Sequence, residues 1–135
     1  MGHSKSGLFL FELIIVIALF AISSAMCMQL FAMAHNLSEK SANTRMAIAN
    51  AGSAAESFKL TGDAAGVARM MDLPVLESRL EALYDNDWNI VPDGGRFRMT
   101  MKVDTGVSPA AAVIVVDDLE RGAKLYRLEV KKFLR

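Results

Sequence analysis

Apolar side chains run almost without a break from Leu8 to Ala34, where only Glu12, Ser23, Ser24, Cys27 and Gln29 interrupt Leu, Ile, Val, Phe, Met and Ala. As a helix this stretch of about 27 residues is roughly 40 Å long, enough to cross a hydrocarbon core about 30 Å thick. The pattern then changes without losing its helical period. Leu37, Ser41, Thr44, Ile48, Ala51, Ala55 and Phe58 recur every three or four residues, and Glu39, Lys40, Asn43, Asn50 and Glu56 mostly fall elsewhere. One helix from Leu8 to Phe58 is expected, apolar in its first half and amphipathic in its second. The second-half stripe is built largely from small residues, which suits close approach to a sheet; a coiled coil would want Leu or Ile at most of these positions.

Thr61-Gly62-Asp63 marks the end of that helix, with Gly62 as its left-handed stop, and a loose connector runs on to Asp72. Pro74 suits an early helical position, and Val75, Leu76, Leu80, Leu83 and Tyr84, interleaved with Glu77, Arg79 and Glu81, predict a short second helix. From Trp88 the period becomes two. Phe97, Met99, Met101 and Val103 alternate with Arg96, Arg98, Thr100, Lys102 and Asp104, between turns at Asp93-Gly94-Gly95 and at Thr105 to Pro109. The apolar run Ala111 to Val116 reads as a central strand, the segment Asp117 to Gly122 as a turn, and Tyr126, Leu128 and Val130 as the inward side of a last strand. Trp88 to Val91 offers a short fourth strand. The expected class is α+β: a long N-terminal helix packed on a small antiparallel sheet of three to four strands. Residues 8–34 form the membrane half of the helix, 35–60 its amphipathic half, and 61–135 a globular head.

Composition narrows the chemistry. The 135 residues carry 15 Lys+Arg against 15 Asp+Glu, so no net charge advertises a polyanionic partner. A single cysteine, Cys27, excludes an intramolecular disulfide framework, and the two histidines, His3 and His35, lie too far apart for the usual structural zinc spacings. No G-x-S-x-G elbow, P-loop or dinucleotide fingerprint is present, so the chain reads as a non-enzyme without a cofactor.

Glu12 is the residue that decides how the apolar segment is read. A carboxylate near the start of a membrane helix costs on the order of 3 kcal/mol and usually has a partner or a function. A secretory signal peptide cut after Ala32-Met33-Ala34 is the plainer alternative, but its apolar core would be about 7 to 15 residues long and free of charge. The string Lys5-Ser6-Gly7-Leu8-Phe9-Leu10-Phe11-Glu12-Leu13-Ile14-Ile15-Val16-Ile17 combines a short basic leader, a glycine, four apolar residues, a glutamate and an unbroken apolar run. It resembles the class III signal of the type IV pilin and pseudopilin family.

That resemblance implies a leader over residues 1–7, cleavage after Gly7 by a prepilin peptidase, and methylation of the new amino terminus on Leu8. It implies that Glu12 pairs with the Leu8 amino terminus of a neighbouring subunit during assembly, and that the fold is pilin-like. Leu8 departs from the Phe usual after the cut, and no Pro interrupts the helix before Pro74. The implied partners are the peptidase, other pilin subunits, an inner-membrane platform protein and a cytoplasmic assembly ATPase. The implied location is a single-pass inner-membrane protein with an exported C-terminal domain, later incorporated in a cell-surface or periplasmic filament.

Two weaker signals remain. Asp85-Asn86-Asp87-Trp88-Asn89 opens like a calcium loop, but Ile90 stands where the turn needs Gly and Arg96 where the bidentate Glu belongs, so a polar turn is expected. Arg96, Arg98 and Lys102 are expected to share a strand face, and Lys124, Arg127, Lys131, Lys132 and Arg135 crowd the C-terminal end. With acids among them and no aromatic platform, they read as a solvated sheet face rather than a nucleic-acid track.

Overall fold

The computed structural model describes residues 3–76, 79–106 and 108–133. A single helix, α1 (His3–Thr61), is followed by α2 (Ala64–Met71) and by strands β1 (Val75–Leu76), β2 (Arg79–Tyr84), β3 (Ile90–Val91), β4 (Phe97–Asp104), β5 (Ala110–Asp118) and β6 (Ala123–Lys132). The chain divides into two compact units, Met1–Ser41 and Ala42–Arg135. The first is helix alone. The second is α+β: the last turns of α1 packed on one antiparallel sheet ordered β1-β2-β4-β5-β6, with β3 also paired to β2.

Helix α1 stops where a glycine permits it. Gly62 has φ +82° and its N–H donates to the Phe58 carbonyl at 2.8 Å. The next residues form a helix where a loose connector was expected. Asp63 caps α2, its carboxylate accepting the Gly66 N–H at 2.7 Å, and Asp72 closes it in the left-handed region at φ +54°. A Cβ on Gly66 would collide with the Thr61 side chain, so this tight corner requires glycine.

The expected second helix over 74–84 is corrected: its residues form β1 and β2, a short hairpin edge. Leu80, Ala82 and Tyr84 are buried while Arg79, Glu81 and Leu83 lie on the other face. Leu76, Leu80, Leu83 and Tyr84 also satisfy helical spacing, and the small side chain at Ala82 hid the alternation. Glu77 of that expected helix, like Arg135, lies outside the described residues. The sheet therefore has six strands, with β4, β5 and β6 forming the expected meander.

The core lies between the end of α1, α2 and one sheet face. Ala47, Ala51, Ala54, Ala55 and Phe58 from α1 meet Val67 of α2 and a sheet face formed by Leu80, Phe97, Met101, Ile114 and Val130, among others. The helix row differs from the expected one by rotation. Ala47 is fully buried, whereas Ile48 and Leu37 are 45% and 69% exposed. A row of alanines lets the backbone approach the sheet, and large side chains from the sheet fill the space. Lys132 Nζ donates to the Leu60 carbonyl at 3.1 Å and ties the last strand to the end of α1.

Candidate functional site

Helix α1 begins before Gly7, so Gly7, Leu8 and Glu12 all stand on regular helix. Open space surrounds Gly7, and Leu8 is 70% exposed. Glu12 follows Leu8 by four residues and shares its face, one helical turn away. Among the described residues no hydrogen bond or ion pair reaches Glu12. The large apolar side chains around it, from Phe9 to Met33, are exposed on every side of the helix. Between residues 4 and 61 the helix is long and apolar enough to cross a membrane, and none of its apolar window is buried within the chain. Ser23 Oγ donates back to the Leu19 carbonyl at 2.9 Å, so this hydroxyl is satisfied inside the helix without water.

The Asp85 turn uses its carboxylate internally. Asp85 Oδ1 accepts the backbone N–H groups of Asp87 and Asn89, each at 2.9 Å, and Oδ2 accepts Asn89 Nδ2 at 3.4 Å. These bonds, the Asn89 N–H foremost, hold its carboxyl below the ordinary aspartate range. Arg96 donates to Asn86 Oδ1 at 3.2 Å on the same loop. Among the described residues no group of three His, Cys, Asp or Glu side chains is placed to hold a metal ion.

Trp88 follows with φ +62° and stacks on Phe97, ring centroids 4.1 Å apart and planes 10° from parallel. Its indole N–H donates to Asn43 Oδ1 of α1 at 3.3 Å. Tyr84 lies beside it, buried, with no hydrogen-bond partner for its hydroxyl among the described residues, and burial pushes the phenol pKa up.

The basic residues separate into two groups. Arg96 leaves the expected shared face, because strand β4 starts only at Phe97 and the buried Asp118 carboxylate draws the guanidinium in. Arg96 lies 3.3 Å from Asp118 and its Cζ is 4.9 Å over the Phe97 ring. Its Nε is 3.1 Å from Glu120, close enough for an ion pair but poorly aligned for a hydrogen bond. Asp118 also accepts the N–H groups of Glu120 and Arg121. The other group lies on the open sheet face: Arg79, Lys102, Lys124 and Arg127 surround Thr100, Val113 and Val115 in a shallow depression of about 320 Å³, with Asp117 at one end. Cross-strand register sets it up, pairing Arg79 with Lys102, Lys102 with Val113, Val115 with Arg127 and Asp117 with Lys124. The residues are visible in the sequence, but their convergence depends on β2, which sequence reasoning read as helix.

A second, apolar hollow of about 480 Å³ lies at the β2 edge between the residues that pair with β1 and with β3. No family model, curated protein or solved structure matches the chain.

Proposed function

We propose that the chain is a non-enzymatic structural subunit of a membrane-derived filament, of the type IV pilin or type II secretion pseudopilin kind, cut after Gly7 and assembled through α1. The observation that carries this reading is the exposed Glu12 in an otherwise apolar helix. A carboxylate in that position is penalised in a bilayer unless a cation meets it. Cleavage after Gly7 would create a cationic amino terminus on Leu8, and the Leu8 terminus of an adjacent copy would give Glu12 a charge-assisted partner in low dielectric. The apolar helix would store the subunit in the membrane before assembly and bury its sides against neighbouring helices afterwards. The peptidase, a platform protein and an assembly ATPase act on this chain as cargo, and the head decorates the outside.

The test is the intact mass and amino-terminal sequence of the full chain extracted from membranes that contain an active prepilin peptidase. The expected product starts at Leu8 with one added methyl group. Glu12→Ala should insert and be processed yet fail to assemble. A terminus at His35, or an uncut chain beside an active peptidase, would replace the filament reading with an exported or anchored domain that does not polymerise.

A further inference from the structure

The depression on the open sheet face differs from an ordinary solvated surface in one respect. Lys102, Lys124 and Arg127 make no ion pair among the described residues, whereas neighbouring Arg98 pairs with Glu81 at 3.1 Å and Lys131 approaches Glu129 at 3.9 Å. Three uncompensated cations, with Arg79 beside them, surround an apolar floor of Val113 and Val115. Glu81, Asp117 and Glu129 stand around this focus on the same sheet face. That border repels a long phosphate backbone while leaving room for a short acidic tip.

The same head carries such a tip. The loop from Asp85 to Asp93 lies between β2 and β4, and its Asp87 and Asp93 are exposed and make no ion pair among the described residues. The Asp85 bonds and the Trp88 stack hold the loop's shape, so little order need be gained on docking. The chain's zero net charge leaves copies without a general repulsion.

We propose that the Arg79–Lys102–Lys124–Arg127 depression receives the Asp85–Asp93 loop of a second copy of this chain. Loop and depression are different surfaces of one molecule, so the contact is heterologous and repeats without closing when the rotation does not return to the start. This partner assignment deepens the filament reading and rests on it for the requirement of an open series. The salt-sensitive contact would select orientation between heads, while the helices supply most of the buried area.

The experiment uses two differently tagged full-length chains in the same membranes, with the peptidase present. One carries Asp87→Asn and Asp93→Asn, the other Lys102→Gln and Lys124→Gln. A carbodiimide joins a carboxylate to an amine in direct contact, and mass spectrometry identifies the joined peptides. The expected result is an Asp87 or Asp93 link to Lys102 or Lys124 between the two chains, absent when either variant is alone. R79E with R127E, which leaves both lysine amines in place, should lower the link about tenfold or more, the scale of a lost close charge pair; K102E with K124E removes the amines and the link with them, and D87K with D93K in the partner should restore a link through the exchanged groups. Assembled copies without the link overturn the docking while leaving the filament reading intact. The link in copies that never assemble supports the docking and removes the filament reading. Nuclease-sensitive retention of DNA that K102E/K124E abolishes, with no copy-to-copy link, would overturn the proposal in favour of a nucleic acid.

Discussion

Replacing Ala47 by Leu tests the rotation of α1 against the sheet. Ala47 is fully buried in a row of alanines, so the three added carbons have no free volume and must displace the helix or force sheet side chains off their rotamers. Overpacking of this kind costs about 1–3 kcal/mol. Helix propensity barely enters, since Leu is among the best helix formers after Ala. Ile48→Ala, one residue on, removes a side chain that is 45% exposed and should change stability by no more than about 0.5 kcal/mol. Trp88 is the sole tryptophan and sits in the head, so urea unfolding of the full chain in detergent can be followed by its fluorescence. With a slope of about 1–3 kcal/mol per molar urea, Ala47→Leu should lower the midpoint by on the order of 1 M, and Ile48→Ala should hardly move it. A neutral Ala47→Leu beside a costly Ile48→Ala would refute this seating of the helix and favour the row that includes Ile48.

Two further outcomes follow from the head. Arg96→Ala should destabilise it by about 3 kcal/mol, because the buried Asp118 carboxylate then keeps its two backbone N–H donors but loses its cation; unchanged urea unfolding would show that the pair is not what orders this corner. Tyr84→Phe should be neutral or stabilising, since the hydroxyl it removes is buried without a partner among the described residues. It should also flatten the alkaline limb of the stability curve. The buried phenol titrates above 10 in the folded head and near 10 unfolded, so above that pH the unfolded chain binds fewer protons and stability falls as pH rises. An alkaline limb of the same steepness in Tyr84→Phe would assign it to other groups.

Much of the fold was legible because periodicity and turn chemistry agreed. The helical character of the apolar run of α1, its stop at Gly62 and the alternation along β4 each had one structural reading. The second helix failed for the opposite reason. In a short apolar run with Ala82 at one inward position, Leu80 and Tyr84 fit both periods and Leu83 fits the helical one, and only the pairing of Leu80, Ala82 and Tyr84 with Met101, Met99 and Phe97 decides between them. Ala47 was missed because alanine carries little hydropathy signal; its burial comes from where the sheet sits. Gly7, Leu8 and Glu12 were chosen from local sequence alone, and the structure adds their exposure. The depression could not be found this way, since its cations come from three strands, one of which had been read as helix.

The central place of β5 has a consequence for solubility. Its sequence, Ala110 to Val116, is rich in β-branched and small apolar residues, has no charge or proline, and is paired along both edges by β4 and β6. A segment of that composition with a bare edge is a template for cross-β stacking. Strand β6 therefore acts as a sheath: while it is in place, β5 offers no edge on its side. Any event that strips β6 away, whether proteolysis near Gly122 or a substitution that unseats Val130, would open the chain's most self-adhesive strand to its own copies, and disordered aggregation would compete with ordered assembly.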